Sequence, residues 1–540
     1  MFIISKIFRP DSARLLAPLP ISLFVCFSVL APTTALPQGD SSRPSQINYV
    51  AFELARADNW DDLITEDVNG DGAKDIIISH YQADLGRELH IYHQKADGSF
   101  ESTPQRIEVK TEIIAVGFAD LRPEPGKELL LFASTGVYSL STTSEGYAGN
   151  IKQLLQWDLI ATIPDLERVQ FIDRLVDIDN DGNIDLLLPG DGVFGYFRGN
   201  GAEGFELVSS FSTVNSNLIQ SQRNNETDNE LSASISINPE QGLVVELSTK
   251  RASPFGDFVE QWGQADIETR TLLRSEHWMP SVILAHLNSD QLLDIAYLNI
   301  GDDGLGQLNI HYQQSQSGFG EQPDWTGSID TRGDIHLVDM DQDQQMDLLR
   351  LTGDGSEWVA RFFLNQGGSF NLDAPNQIMR FSGYDVRLNF ITLEANSAPV
   401  LNVSYYTIPV VNVIRNASIT RTQLLYGSDA REQGQVFNRR PDTRLEESFS
   451  ATNVRGLSEQ MSLNYDVDGD GIKDALYISE NGTLAAKKID SELRIAEIPF
   501  WEYISSHSVF EFKVLHLNSD SRPDLLLRHG TTTTLLVTTP

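Results

Sequence analysis

The chain has 540 residues, with 40 Lys and Arg against 76 Asp and Glu and a formal net charge of −36. So acidic a surface repels nucleic acid and anionic membranes, which excludes nucleic acid as a partner. One cysteine, Cys26, excludes a disulfide framework, and the length suits a repeat fold or several domains better than one ordinary core.

Residues 1–35 read as an export signal. Lys6, Arg9 and Arg14 precede a largely apolar run from Leu15 to Leu30, which ends in Thr33, Thr34 and Ala35. A membrane anchor is the rival reading, but Pro18 and Pro20 interrupt a run already short of the roughly 20 apolar residues a span needs. Cys26 lies inside this segment, and Leu23, Phe24 and Val25 before it match a lipoprotein signal poorly. Residues 36–46 read as a polar linker, and 47–540 as the folded body. The expectation is an exported protein (periplasmic, cell-surface or secreted) with no membrane span after cleavage.

The body opens on a strand-like stretch, Ile47 to Ala55, and then repeats one device. Four aspartate ladders run straight into apolar strands: DVNGDGAKDIII from Asp67, DIDNDGNIDLLL from Asp177, DMDQDQQMDLLR from Asp339 and DVDGDGIKDALY from Asp466. Oxygen-bearing side chains fall at loop positions 1, 3, 5 and 9, and position 7 offers a backbone carbonyl. The candidate metal ligands are Asp67, Asn69, Asp71, Ala73 and Asp75; Asp177, Asp179, Asp181, Asn183 and Asp185; Asp339, Asp341, Asp343, Gln345 and Asp347; and Asp466, Asp468, Asp470, Ile472 and Asp474. This spacing wraps a short loop around a hard cation such as Ca2+, which takes roughly six to eight oxygen ligands. Two unit charges about 4 Å apart, at an effective dielectric near 20, interact by roughly 4 kcal/mol, so several carboxylates in one loop are hard to hold without a cation. The competing reading is a solvated acidic turn. Gly72, Gly182 and Gly471 at position 6 permit the sharp turn, whereas Gln344 predicts strain in the third loop.

The ladder is not an EF-hand, because position 12 is Ile78, Leu188, Arg350 or Tyr477 instead of Glu and the flanks are β-type. A loop closed by Asp at position 9 and entering a strand resembles the FG-GAP, or VCBS-type, repeat of integrin-α-like proteins. That resemblance implies four-stranded propeller blades. It also implies that the Asp-rich loop joins the first two strands of its blade and binds structural Ca2+, here at the four full ladders. Weaker copies begin at Asp120, with Arg122 at position 3, and at His286 and His516, which share HLNSD. Imidazole suits a hard cation poorly and caps a turn instead, and Arg122 can act as an internal counterion.

The loop starts at 177 and 286, and at 339 and 466, lie about twice as far apart as the others. Each gap predicts a unit that has lost its acids: Leu231 to Lys250, and Val386 to Tyr406. The strands are short and rich in Val, Ile, Leu, Tyr and Thr. The expected fold is all-β, a single β-propeller of eight or nine four-stranded blades with Ca2+-binding loops. Nine exceeds the usual range, so a degraded unit or the stretch Tyr426 to Ser450 is the candidate to fall outside the count. The last unit supplies three strands, and Ile47 to Ala55 is expected to supply its fourth and close the ring.

No HExxH, GxSxG, P-loop or dinucleotide fingerprint appears, so no catalytic residue is assigned. His90 and His93 lie three apart in a strand and point to opposite faces. Trp262, Trp278, Trp325 and Trp501 can stack on sugars but suit blade packing better. The preferred function is a binding or scaffold module for a protein or glycan, with the insertions Asn215–Glu230 and Tyr426–Ser450 as contact loops. The alternative is a polysaccharide-active lyase or hydrolase, which needs a basic and aromatic groove. The ligand and the oligomeric state are not legible.

Overall fold

The computed structural model describes residues 47–54 and 63–539 apart from short stretches, the longest of them 250–269, 408–417 and 451–460. For the strands within 217–249 and 270–277 the backbone alone is described. The segments read as export signal and linker lie outside these residues, as do Trp262 and Trp278. No helix among the described residues is long and apolar enough to cross a membrane.

The first repeat folds as its pattern dictates. Leu63–Glu66, Asp75–Gln82, Gly86–Tyr92 and Gln105–Val109 form a four-stranded antiparallel meander. Pairing runs from Leu63↔Ile78 to Glu66↔Asp75, so the Asp67 ladder is the connection between the first two strands. Ile76, Ile77 and Ile78 are all buried, on both faces of the sheet. That explains why the second strand reads as a continuous apolar run and not as an alternation: its two faces each meet a layer of side chains.

The fold is all-β, built of propeller blades. Eight sheets among the described residues are each built on strands consecutive in the chain, two of them with one added strand from elsewhere. Blade 1 is the sheet just given, and blades 2 to 7 span 113–156, 186–212, 283–330, 334–382, 384–450 and 462–503. Blade 8 joins Glu511–Leu515, Asp524–His529 and Thr532–Thr538 to the N-terminal strand Tyr49–Leu54, which pairs from Tyr49↔Thr538 to Leu54↔Thr533. In blade 3 the first strand shrinks to the bridge Val176↔Asp185, while Gln170–Phe171 pairs parallel to the first strand of blade 2.

The chain divides into two compact units, residues 1–108 with 332–540, and 109–331. Within each, the core is a series of layers between consecutive blades. In the first unit one layer joins Phe362 and Phe381 of blade 5 to Phe390 and Phe437 of blade 6, and another joins Ile76 and Ile78 of blade 1 to Leu526 and Leu535 of blade 8. Trp501 is buried in the layer between blades 7 and 8, so it serves packing. In the second unit the layers join blades 2 and 3, around Phe132 and Phe197, and blades 3 and 4, around Phe211 and Tyr297.

The two acid-free units part company. Val386 to Tyr406 falls on the strands Tyr384–Ile391 and Val400–Thr407, the first two of blade 6. Tyr426 to Ser450 ends in that blade's fourth strand, Thr443–Ser450, so it belongs to the count. Leu231 to Lys250 instead supplies the hairpin Leu231–Asn238 and Gly242–Thr249 of a ninth sheet. There Arg270–His277 lies between that hairpin and Asn217–Asn224, out of chain order. It is not a blade meander, and the blade count is eight.

Candidate metal centre

Seven of the eight loops end in a buried acid at position 9: Asp75, Glu128, Asp185, Asp294, Asp347, Asp474 and Asp524, each at most 1% exposed. One carboxylate oxygen accepts the backbone N–H of position 2, from Val68, Leu121, Ile178, Leu287, Met340, Val467 and Leu517, at 2.6–3.2 Å. Position 2 is itself apolar and buried beneath the loop. In five blades the other oxygen accepts an N–H from beyond the third strand or within it: Gln94, Gly199, Gln313, Asn365 and Thr538. The closing acid is therefore first a staple between two strands. In blade 6 buried Val400 stands in its place, which matches the loss of the ladder there.

Burial disfavours the charged form of a carboxyl, and N–H bonds to it can offset that only in part. Burial pushes Asp347 up to about 7 and Asp294 and Asp474 up to about 6. Asp185, Asp524 and Glu128 are shifted upward for the same reason.

Position 1 folds the turn. Asp67 accepts N–H bonds from Gly70, Asp71 and Gly72, and Asp466 from Gly469, Asp470 and Gly471. Asp177 and Asp339 do the same with two N–H groups each. Position 6 is left-handed, with φ of 87°, 92° and 92° at Gly72, Gly182 and Gly471. Gln344 adopts φ of 70° at that place, the strain its side chain predicts.

Positions 1, 3 and 9 converge. Asp177, Asp179 and Asp185, then Asp339, Asp341 and Asp347, then Asp466, Asp468 and Asp474, each bring one oxygen within 4.8 Å of the others. Asp179 Oδ1, Asp468 Oδ1 and Gln345 Oε1 are buried with no hydrogen-bond partner. Three converging carboxylates are the donor set of a hard cation, so these residues fit Ca2+. Asp181, Asp343 and Asp470 at position 5 stand outside the tight groups and accept the N–H of Asn183, Gln345 and Ile472. In the first loop Asn69 occupies position 3 and its amide donates to Asp71 Oδ2, while Asp71 Oδ1 accepts the N–H of Ala73.

The weaker loops carry their own donors and acceptors. The His286 Nδ1 lies 2.9 Å from the carbonyl of Leu292, the position 7 oxygen a metal would use. Arg122 reaches Glu128 at 3.7 Å. In the His516 loop the Thr538 hydroxyl contacts Asp520 and Asp524.

Sequence reasoning missed three basic side chains that enter full ladders. His93 Nδ1 lies 3.2 Å from Asp75 Oδ2, and Arg198 Nε lies 2.5 Å from Asp179 Oδ2. Lys488 Nζ lies 2.7 Å from Asp468 and from Asp470, and 3.2 Å from Asp474. His90 does point away from His93, stacking on His80 at 4.3 Å.

No family model matches the chain, and no curated protein matches it. Among solved structures it is similar to an Agrocybe aegerita lectin that recognises non-reducing terminal N-acetylglucosamine, at 15% identity, covering 59% of this chain and 79% of that one, with a TM-score of 0.25. It is similar to the WD40 domain of SCAP from fission yeast, at 10% identity over 88% and 95%, TM-score 0.32. It is also similar to the exotype rhamnogalacturonan lyase YesX, at 12% identity over 94% and 76%, TM-score 0.29. Superpositions this loose leave the ligands of those proteins with those proteins.

Proposed function

We propose that this chain is an exported, Ca2+-binding β-propeller of the FG-GAP or VCBS type that acts as a binding or scaffold module for a protein or glycan. One observation carries the reading: the carboxylates of positions 1, 3 and 9 converge in blades 3, 5 and 7, at the same turn each time. Asp177, Asp179 and Asp185, and Asp339, Asp341 and Asp347, would hold the ion. A bound Ca2+ supplies positive charge that lets buried acids stay ionised. The chain's own part is to staple the turn through the closing acid and so fix the blade edge that carries the loops.

A ligand position is available in the first unit. A cleft of 590 Å³ lies along the outer strand of blade 5, lined by Arg380, Arg439, Tyr426, Asn376 and Gln435. That volume is in the range of small-molecule sites. Arg380 and Arg439 are exposed, and guanidinium groups in an otherwise acidic chain attract carboxylate-bearing ligands. The test is a glycan array and a pull-down with the full chain, in Ca2+ and in EDTA, beside an Arg380→Ala, Arg439→Ala double variant. Retention of acidic glycans that is lost in the variant supports the reading. Retention of nothing on either platform, in either medium, overturns it.

A further inference from the structure

One register position recurs beside every ladder. The closing acid begins the second strand, and a single residue of the third strand lies directly across from it. Pairing of Ile76↔Tyr92 sets His93 across from Asp75, and Leu186↔Phe197 sets Arg198 across from Asp185. Likewise Leu348↔Phe363 sets Leu364 across from Asp347, and Ala475↔Lys487 sets Lys488 across from Asp474. Residues directly opposite in an antiparallel pair share one face and touch. This position therefore decides what the loop's carboxylates meet.

In blade 7 it holds a lysine whose ammonium lies among three acids. Its Nζ is 2.7 Å from Asp468 Oδ2, 2.7 Å from Asp470 Oδ2 and 3.2 Å from Asp474 Oδ1. The Phe500 ring covers it at 4.8 Å. An ammonium has three N–H donors, and an aromatic face attracts the remaining positive surface. A Ca2+ ion would need the same carboxylates of Asp468 and Asp474, with oxygens at about 2.3–2.6 Å, and two cations so close repel, so ammonium and ion cannot be seated together.

We propose that Lys488 is the resident cation of the Asp466 loop, and that the residue across from the closing acid selects between an internal cation and a divalent ion. Leu364, across from Asp347, brings no charge from that position to the Asp339 loop. Arg198 is the intermediate case: its Nε engages Asp179 Oδ2, one acid where Lys488 meets three. The inference rests on the Ca2+ reading of the ladders and sorts them: Asp339 binds most tightly, and Asp466 does not bind while Lys488 is in place.

The test counts Ca2+ bound per full chain by equilibrium dialysis, with Ca2+ alone as the probe. Asp341→Asn should lower the count by about one, and Asp468→Asn should leave it unchanged. Lys488→Met should raise it by about one, and Leu364→Lys should lower it by about one. Should Lys488→Met fold only in Ca2+ and not in EDTA, that dependence is the same gain. Should it fold in neither, the Asp341→Asn and Asp468→Asn pair decides. A count that falls in Asp468→Asn, or that stays the same in folded Lys488→Met, overturns the proposal. If the native chain binds no Ca2+ while Lys488→Met binds one, the lysine seat stands and the Ca2+ reading of the other ladders falls.

Discussion

Val467 donates its backbone N–H to Asp474 Oδ2 at 2.8 Å, across a loop of seven residues. The same bond is made by Asp75, Glu128, Asp185, Asp294, Asp347 and Asp524, whether or not the loop carries a full ladder. It ties the buried apolar residue beneath each loop to the first residue of the second strand. The acid that sequence spacing reads as a metal ligand thus has a structural task that precedes any metal.

That separation can be measured in EDTA. Asp524→Ala removes the acceptor for the N–H groups of Leu517 and Thr538 and for the Thr538 hydroxyl. Each buried donor left unsatisfied costs about 1–3 kcal/mol, so a loss of roughly 3 kcal/mol or more is expected. Asp177→Ala removes only bonds to Asp181 and Gly182, which face solvent, and should cost below about 1 kcal/mol. Denaturant unfolding of both variants in EDTA decides it. Equal losses would mean that the closing acid is no staple.

The N-terminal strand should matter out of proportion to its six residues. It covers the edge of Thr532–Thr538, and its buried Phe52 meets Phe100 edge-on at 5.9 Å. Deleting 47–54 should leave that edge open to pair with other chains. Light scattering and a thermal melt should show aggregation and a clear loss of stability. A soluble truncated chain with an unchanged melting temperature would remove the closing role assigned to this strand.

What was legible in the sequence was what is encoded locally. A ladder fixes a turn, the turn fixes the strand pair on either side of it, and DIII after Asp75 reports a strand buried on both faces. Partner choice between distant strands is not local. Leu231 to Lys250 and Val386 to Tyr406 share one strand-turn-strand pattern, yet only the second enters a blade, because the first returns against Arg270–His277. Lys488 escaped notice for the same reason. It lies outside the ladder it fills, and only the register of Asp474–Ile478 with Leu484–Lys487 brings it across from Asp474. Arg380 and Arg439 are far apart in the chain and share a cleft only once blades 5 and 6 stack.

The final prediction links pH to metal through Asp347. Burial pushes this carboxyl up to about 7, with Asp341 and Asp343 adding to the shift against the N–H bonds of Asn365 and Met340. Because its pKa is raised on folding, its contribution to stability is full below the ordinary carboxylate range and is lost as pH rises through about 7. In EDTA the melting temperature should therefore climb as pH falls from about 8 toward 5. Ca2+ needs the ionised carboxylate, so its affinity should fall over the same window. With dissociation constants on the order of 0.1–1 mM and a few mM Ca2+, each occupied site adds roughly 1–2 kcal/mol at the alkaline end. The informative quantity is the gap between melts in Ca2+ and in EDTA, since relief of the chain's self-repulsion at low pH raises both curves together. That gap should be widest near pH 8 and close toward pH 5. Mg2+ should restore less of it, because it demands a tighter octahedron and sheds water reluctantly. Coincident curves in Ca2+, Mg2+ and EDTA, or a gap that widens toward acid, would mean that the ladders are acidic turns without a metal.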